Sequence, residues 1–298
     1  MGTTYSITIS NFMHNKDDFK TKIEKQLDEI NQKFSTYSDD SEISIINKSN
    51  ADLMKISSEF EYVLDRALYY CKLVNGNYDI TVGPLVELWG FNSNKNILPS
   101  ADDISAVLDN IGYQKISLSN HFLVKKNKDV VIDLNSIAKG YAVDKISEFL
   151  DKNGYENYLV EIGGELSSKN NNNYDDWIVG IQDPQSNLVI KKIKLNNLSM
   201  ATSGTYNNYF ELNGVTYSHI LNPKTGYPYK HKTISATIIA KDCIDADAYA
   251  TLSLTIDPNK VLSLINKIEN VDCYIVEVDS LGNILEYKSN DLDTHLIF

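Results

Sequence analysis

The sequence predicts an α+β fold, with mixed, largely antiparallel sheets and packed helices. Helical and strand patterns come in blocks rather than in strict alternation, an order typical of α+β proteins. Strand patterns dominate residues 158–240, where Asn213-Gly214 separates YFEL from VTYSHI and indicates a hairpin with a two-residue turn. The 298 residues contain no internal repeat and suffice for a single domain, residues 1–298, built as one core or as two intimately associated halves.

Two amphipathic helices are predicted near the start of the chain. The first covers Asp18 to Phe34, where apolar residues recur on one face. The second runs from about Ser57 to Val74, and Gly76 lies beyond its end. The residues of the second helix that are predicted to face inward are Phe60, Val63, Leu64, Ala67, Leu68 and Cys71.

The later elements follow from equally local patterns. The segments YLVEI, WIVGI, LVIKKIKL and TISATIIA are predicted strands, and KNNNNYDDW is a predicted surface loop. Asp257 and Pro258 indicate the N-cap and first-turn proline of a last helix that carries Val261, Leu262, Ile265 and Ile268.

Composition excludes several classes of function. The net charge of −12 and the pI near 4.9 argue against nucleic-acid binding, which needs a basic surface. Arg66 is the only arginine among 28 basic residues, so backbone N–H groups, lysine or a metal ion must hold any phosphate-bearing ligand. The three cysteines and five histidines lack the spacing of a disulfide framework or a zinc site. No apolar run is long enough to span a membrane.

Residues 130–150 form the first segment with candidate chemistry. A strand ends at Ile132, and a helix follows that Asn135 or Ser136 is predicted to cap. A helix start directs free N–H groups and a positive dipole end at one point, which suits an anionic ligand. Lys139 lies in the first helical turn, against the helix dipole, as expected for a ligand-binding residue. The alternative is a capped helix with a solvated lysine.

Residues 243–254 form the second such segment. Asp245 is predicted to cap a helix on which Asp247 and Thr251 share one face. A carboxylate and a hydroxyl one turn apart are hard oxygen ligands suited to Mg²⁺ or Ca²⁺. The alternative is that Asp247 accepts a backbone N–H bond in the first turn.

Three further segments, residues 201–229, 161–166 and 77–91, allow either a functional or a structural interpretation. His219, before a turn rich in Asn, Pro and Gly, is a candidate general base or a half-buried strand residue. Ser203-Gly204 is predicted to be a loop where the backbone approaches a ligand. The paired glycines of EIGGEL indicate a bulge or tight turn. Residues 77–91 offer either part of a ring-binding pocket or ordinary core packing.

Nine segments in order give the chain a close resemblance to the FAD:protein FMN transferase (ApbE) family. The resemblance runs from residue 1 to about 256. The segments are MGTTYS, FSTYSDDSEISIIN, YDITVGPLVELWGF, DLNSIAKGYAVD, YLVEIGGEL, WIVGIQDP, ATSGTYNNYF, YSHILNPKTGYP and DADAYAT.

The resemblance implies a site for FAD in a cleft between two halves, with Mg²⁺ at the FAD pyrophosphate. The implied FAD contacts are Met1, Tyr37, Asn77, Tyr78, Asp79, Asp133 and Lys139, completed by EIGGEL, ATSG and the backbone near Leu221. The implied metal ligands are Ser136, through its carbonyl, Asp247 and Thr251. His219 matches a residue that helps to deprotonate the acceptor hydroxyl. Asn222 and Lys224 replace an Asp and an Arg common in the family, so their side chains receive no role.

The resemblance also implies the reaction and its setting. The expected activity is Mg²⁺-dependent transfer of FMN from FAD to a Thr or Ser hydroxyl of an acceptor protein, with release of AMP. The alternatives are a FAD pyrophosphatase that produces FMN and AMP, and a flavin-binding carrier without turnover. The family further implies work outside the cytoplasm, often as a membrane-anchored lipoprotein, and a peptide groove that recognises the acceptor.

Overall fold

The computed structural model describes residues 2–91, 97–171, 173–184, 186, 188–206, 208–229, 232–279 and 281–297. The helices within these ranges are α1 (Lys16–Phe34), α2 (Glu42–Lys48), α3 (Ser58–Leu73), α4 (Gly83–Leu88), α5 (Ala101–Leu108), α6 (Ala138–Lys152), α7 (Cys243–Ser253) and α8 (Pro258–Ile265). The strands are β1 (Tyr5–Ile9), β2 (Leu53–Lys55), β3 (Ile116–Ser119), β4 (Phe122–Lys125), β5 (Tyr158–Ile162), β6 (Glu165–Lys169), β7 (Ile178–Gln182), β8 (Val189–Lys194), β9 (Ser199–Gly204), β10 (Tyr209–Leu212), β11 (Val215–Ser218), β12 (Thr233–Ala240), β13 (Asp272–Val278), β14 (Ile284–Lys288) and β15 (Leu296–Ile297).

The chain divides into two compact units that interleave in sequence. The first unit comprises residues 1–30, 137–204 and 232–298, and the second comprises residues 31–136 and 205–231. Every strand pair within the described ranges is antiparallel, which confirms the predicted α+β class. The single domain over residues 1–298 and the flavin cleft between its halves stay predictions.

The first unit is built on a seven-stranded sheet with the order β1-β5-β6-β9-β12-β13-β14. The predicted strand TISATIIA is β12, which is almost wholly buried between β9 and β13. A three-stranded sheet, β15-β8-β7, packs on the larger sheet through an apolar cluster that includes Ile181, Ile193, Ile239 and Tyr274. Helix α7 contacts β9, β12 and α6, and its alanines at positions 246, 248 and 250 are buried, as close helix packing requires.

The second unit combines α2–α5 with the sheet β2-β4-β3 and the hairpin β10-β11. Helix α3 confirms its predicted range and inward residues, and Ser57 Oγ caps it by accepting the Phe60 N–H bond. The hairpin turns at Asn213 and Gly214, as predicted, with φ of 54° and 74°. Positive φ at both turn residues is what a tight type I′ turn requires.

The structure corrects three predicted helix ends. Helix α1 begins two residues early, because Asn15 Oδ1 accepts the N–H bonds of Asp17 and Asp18. Helix α6 begins at Ala138, and its N-cap residue Ile137 makes no side-chain cap bond, so the caps predicted at Asn135 and Ser136 are wrong. Helix α8 starts at the predicted Asp257-Pro258 but ends at Ile265, before Ile268.

Two predictions of local structure are also wrong. Helix α7 has Asp242 rather than Asp245 at its N-cap position, and an aspartate of α6 supplies the cap, as described below. Ser203 and Gly204 form the end of strand β9 instead of a loop, because they pair with Ala236 and Ser235 of β12. Among the residues described, no helix has the length and apolar character needed to cross a membrane.

Candidate active site

Three charged side chains meet in the first unit, and we call them the charged cluster. Lys139 lies in the first turn of α6, Asp247 lies on α7, and Glu165 begins strand β6. Lys139 Nζ donates a hydrogen bond to Glu165 Oε1 and lies 3.6 Å from Asp247 Oδ1. The two carboxylates are almost fully buried, whereas 32% of the lysine side chain is exposed. Among the three side chains, that of Lys139 is therefore the most accessible to solvent.

Burial and charge act against each other in the charged cluster. Burial disfavours the charged form of Lys139, but the carboxylates of Asp247 and Glu165 outweigh this effect and raise the pKa of the lysine. Burial, with the neighbouring charge of Asp247, raises the pKa of Glu165 above its ordinary value, although Lys139 opposes that shift. Lys139 thus stays cationic at neutral pH.

Gly140 permits the close contact of α6 with α7 that assembles the charged cluster. A Cβ atom at this position would lie 2.3 Å from the Cys243 carbonyl oxygen and 2.8 Å from Asp247 Cβ. The Gly140 N–H group donates to Asp247 Oδ2 at 2.9 Å. The alternative to a metal ligand was that Asp247 accepts a backbone N–H bond in the first turn of its own helix. Asp247 does accept a backbone N–H bond, but the donor belongs to α6 rather than to the first turn of α7.

Asp144 fixes the same contact from one turn further along α6. Its two carboxylate oxygens accept the backbone N–H bonds of Cys243 and Ile244, each at 2.8 Å. These N–H groups belong to the first turn of α7, which the Asp242 side chain does not cap. One aspartate of α6 therefore caps α7 and sets its position against the helix that carries Lys139.

Replacing Asp144 by alanine is expected to lower the free energy of unfolding by about 1–2 kcal/mol, the usual cost of a lost helix cap. Burial raises the pKa of Asp144 to about 7. Between about pH 4 and pH 7 the folded state then binds more protons than the unfolded state, so this carboxyl makes the wild type less stable as pH rises.

Thermal unfolding of wild type, Asp144→Ala and Asp144→Asn at pH 4.5 and pH 7.5 tests this prediction. We expect the wild type to lose stability relative to both variants at the higher pH, and Asn, which can accept one of the two bonds, to be the milder change. Equal pH dependence in all three proteins would contradict the assignment.

Oxygen donors that suit a hard cation lie on and beside α7. Asp247 and Thr251 are one turn apart, and Thr251 Oγ1 lies 3.0 Å from Ser203 Oγ. Glu165 Oε2 is buried and has no hydrogen-bond partner among the described residues. Hard oxygens with an unsatisfied carboxylate oxygen fit Mg²⁺. The described ranges hold no group of three or more His, Cys, Asp or Glu side chains placed to bind a metal. The predicted magnesium ligands do not form such a group, because they are one carboxylate (Asp247), one hydroxyl (Thr251) and one backbone carbonyl (Ser136).

In the second unit, several predicted FAD contacts lie around the segment 77–81. Tyr78 Oη and Ser136 Oγ are 2.6 Å apart, and the Asp133 N–H donates to the Ile80 carbonyl at 2.7 Å. Asn77 accepts a bond from Lys224 Nζ at 2.6 Å through Oδ1. The structure therefore brings Asn77, Tyr78, Asp133 and Ser136 together within this unit.

Asp79 is held by its own surroundings. Its Oδ1 atom accepts bonds from the N–H and hydroxyl groups of Thr81, and its Oδ2 atom accepts the Tyr113 N–H bond at 2.8 Å. Burial raises the pKa of Asp79, although these bonds oppose the shift. The carboxylate orders the turn that presents Tyr78, while direct contact of Asp79 with FAD stays a prediction.

The remaining predicted FAD contacts differ in exposure. Tyr37 is 75% exposed, which leaves its ring free to pack on a ligand. Leu221 is buried and forms an isolated bridge with Pro228. Met1 lies outside the described residues.

His219 lies directly after β11, as predicted, and is half-buried. Its Nδ1 atom is 2.9 Å from the Asn208 carbonyl oxygen. A carbonyl only accepts, so Nδ1 carries the proton and the neutral ring leaves its lone pair on Nε2. Burial lowers the pKa of His219, although the bond to Asn208 opposes the shift. The ring is thus a neutral proton acceptor at pH 7.

Two residues of these arrangements, Glu165 and Lys224, had no predicted role of their own. Glu165 was expected only as part of EIGGEL, which was implied to complete the FAD cleft or to form a bulge or tight turn. The turn is confirmed, since Gly163 and Gly164 join β5 to β6. Lys224 received no role, yet it holds Asn77. Glu165 did leave a signal in the sequence, because a carboxylate that opens a mostly buried strand needs a cationic partner.

Comparisons with known proteins agree with this architecture. The chain matches the model of the ApbE family over residues 1–275. It is 36% identical over 259 residues to the FAD:protein FMN transferase of Vibrio cholerae, covering 84% of this chain and 78% of that protein. It is 35% identical over 291 residues to the transferase of the same name from Haemophilus influenzae, covering 93% and 84%.

Solved structures extend the similarity to the fold. The flavin transferase ApbE from Vibrio cholerae superposes with a TM-score of 0.90 at 30% identity, covering 99% of this chain and 96% of that one. The ApbE protein from Thermotoga maritima superposes with a TM-score of 0.88 at 32% identity, covering 100% and 97%. The resemblance first noted in nine segments is thereby confirmed.

Proposed function

The chain belongs to the ApbE family, and from this premise we infer that it is a FAD:protein FMN transferase, an enzyme that transfers FMN from FAD to an acceptor protein. The observation that carries the inference is the family match over residues 1–275 on a fold that superposes on a flavin transferase over 99% of the chain. FAD is the substrate that donates FMN, and a second protein accepts it.

We propose that Lys139 contacts the anionic pyrophosphate of FAD, with Tyr37, Asn77, Tyr78, Asp79, Asp133, Met1 and the backbone near Leu221 around the rest of the molecule. Two observations support the role of Lys139, its partial exposure and the carboxylates that keep it cationic. The only arginine, Arg66, instead lies 5.8 and 5.9 Å from the ring centres of Tyr69 and Tyr70 on α3.

We further propose that Asp247, Thr251 and the Ser136 carbonyl hold a magnesium ion. When bound, magnesium would neutralise pyrophosphate charge and polarise the phosphoryl group. The hard donors of α7 support the assignment, as does the buried Glu165 Oε2 atom, which has no hydrogen-bond partner among the described residues.

His219 serves as the general base for the acceptor hydroxyl of a Thr or Ser residue. The hydroxyl oxygen forms a bond to the FMN-side phosphorus, and the bond from that phosphorus to the bridging oxygen breaks. The bridging oxygen leaves with AMP and keeps the electron pair of that bond. The hydroxyl proton passes to Nε2 of His219, the ring nitrogen that the bond to Asn208 leaves as an acceptor.

The pH profile of transfer is expected to report on His219. A base must be deprotonated to act, so kcat/KM should rise with pH and level off after a midpoint below the ordinary histidine pKa of about 6.5, because burial lowers the pKa of this ring. Steady-state transfer rates between pH 5 and pH 8.5 give the profile. His219→Ala should lower kcat by about 100-fold or more and remove this acidic limb. A limb that survives the substitution would assign the proton transfer to another group.

Intact-mass spectrometry tests the proposed function. The protein is incubated with FAD, Mg²⁺ and an acceptor domain on which the Vibrio cholerae transferase is active, beside the same domain with its acceptor threonine changed to valine. We expect the first domain alone to gain one FMN unit, with one AMP released for each transfer. Steady release of FMN and AMP without an adduct would support a pyrophosphatase instead, and unchanged bound FAD would support a carrier.

The cellular location of the protein is proposed from the family resemblance alone. We propose that the protein works outside the cytoplasm as a membrane-anchored lipoprotein whose anchor precedes residue 1. Fractionation of cells that express the full-length gene, with FMN transfer assayed in each fraction, tests this location. Activity confined to the cytoplasmic fraction would contradict it.

A further inference from the structure

Strand β1 has an open edge. It forms one end of the seven-stranded sheet and pairs with β5 alone in the part of the chain that the structure describes. Gly163 N–H donates to the Thr4 carbonyl and Ser10 N–H to the Asn157 carbonyl, each at 3.0 Å. Hydrogen-bonded pairs alternate in an antiparallel ladder, so Ser6 and Thr8 also bond β5. The backbone groups of Tyr5, Ile7 and Ile9 therefore point away from β5.

A groove runs beside this edge, between β1 and the start of α1. It encloses about 840 Å³. Its apolar floor combines the half-buried side chains of β1 with apolar side chains from α1 and the segment before it. These lining residues are Tyr5, Ile7, Ile9, Phe12, Phe19 and Ile23. An open strand edge beside a helix with an apolar floor is the geometry that accepts an extended peptide as an added strand.

The charges along the groove favour an acidic segment. Lys16 and Lys20 line it on the helix side, and Glu24 is the only acidic residue among its lining residues. Glu24 is engaged already, because it accepts a bond from Tyr5 Oη at 3.4 Å and lies 3.6 Å from Lys20 Nζ. Two lysines at one groove contrast with the chain as a whole, which carries a net charge of −12.

One end of the groove lies beside the turn that precedes Glu165 of the charged cluster. Thr3 lines the groove, and its Oγ1 atom lies 2.9 Å from the position of a Cβ atom on Gly163. Gly163 belongs to the turn that leads directly to Glu165, the partner of Lys139. A segment laid along β1 towards Thr3 thus runs towards the turn that carries Glu165, the partner of Lys139.

We propose that this groove binds an extended, acidic segment of the acceptor protein, which adds as a strand to β1 and leads its hydroxyl residue to the site. The proposal rests on the proposed function, since the occupant is the protein that receives FMN. Main-chain bonds to Tyr5, Ile7 and Ile9 hold the segment, alternate side chains enter the apolar floor, and carboxylates meet Lys16 and Lys20.

Ile7→Pro tests this proposal most directly. It removes an N–H group that points to the open edge, and proline is tolerated on edge strands where its missing N–H faces solvent. With the acceptor domain described above, the KM for that domain should rise about tenfold or more, while kcat and the affinity for FAD stay unchanged. Ile7→Ala keeps the N–H group and separates the side-chain contribution. Lys16→Glu with Lys20→Glu should raise the same KM, and Ser6→Ala, on the exposed face of β1, serves as the control.

Amide hydrogen exchange detects the same contact in the absence of FMN transfer. The acceptor domain with threonine changed to valine should slow amide exchange at Tyr5, Ile7 and Ile9 in the wild type. In Ile7→Pro, which has no amide at position 7, exchange at Tyr5 and Ile9 should not change. Transfer with an unchanged KM in both groove variants, or exchange that does not change along β1, would overturn the proposal. Absence of transfer by the wild type would instead contradict the proposed function, and the exchange measurement would still decide whether the groove binds this domain.

Discussion

Replacing Asp247 by asparagine is expected to lower kcat for FMN transfer by at least about 100-fold. Asparagine has nearly the same shape and can still accept the Gly140 N–H bond, so the contact between α6 and α7 survives. The lost charge removes the proposed carboxylate ligand of magnesium. A metal ion that stabilises the reacting phosphoryl group contributes several kcal/mol, and each 1.36 kcal/mol is tenfold in rate.

Single-turnover transfer and FAD titration, each with and without Mg²⁺, separate the possible effects of Asp247→Asn. The variant should bind FAD without the gain in affinity that Mg²⁺ gives the wild type. Asp242→Asn provides the matched control, because this exposed aspartate of the same helix makes no cap bond. A transfer rate in Asp247→Asn within threefold of the wild type would refute the metal assignment at this residue.

Gly140→Ala is expected to destabilise the protein by about 2 kcal/mol and to reduce transfer. Alanine favours a helix over glycine by about 1 kcal/mol, but the new methyl group would lie 2.3 Å from the Cys243 carbonyl oxygen, a backbone atom that cannot move alone. Overpacking a close contact costs about 1–3 kcal/mol, and here the upper end applies. A rearrangement that relieves this clash must move α7 away from α6, and Asp247 moves with α7.

Urea unfolding and transfer assays of Gly140→Ala give the two effects together. Glu148→Ala, on the exposed side of the same helix, should change stability by less than about 0.5 kcal/mol. A Gly140→Ala protein as stable and as active as the wild type would mean that the two helices can separate without cost, contrary to the proposed role of their contact.

Elements with local signals could be predicted from the sequence. Strand β12 has the predicted bounds, because seven of its eight residues are apolar or β-branched. The hairpin follows from Asn213-Gly214, and the start of α3 follows from Ser57. In each case the deciding residues lie within a few positions of the structure that they determine.

The caps of α6 and α7 could not be predicted in this way. Asp144 caps Cys243, which lies 99 positions away in the chain, so the neighbours of α7 in sequence gave a misleading signal. Ser136 looked like a cap but lies 2.6 Å from Tyr78 Oη instead. A polar residue before a helix has several possible partners, and only the folded chain decides among them.

The charged cluster could be predicted only in part. The family resemblance assigned Lys139 and Asp247, but it gave no reason for their proximity. Glu165 comes from a third segment, and its bond to Lys139 emerged only from the structure. Sequence spacing carries no information on such a meeting, because α6, β6 and α7 are separated by whole strands of the sheet.

The pairing of β1 with β5 has a consequence for synthesis on the ribosome. Ile9 pairs with Tyr158, so about 150 residues must be made before β1 has a partner, which takes about 8–30 s at about 5–20 residues per second. The same sheet also needs β13 and β14, the last of its strands to be synthesised. The segment that carries Tyr5, Ile7 and Ile9 therefore lacks its partner strand during about half of the synthesis of these 298 residues. We expect this segment to be the part of the newborn protein that a ribosome-associated chaperone holds longest.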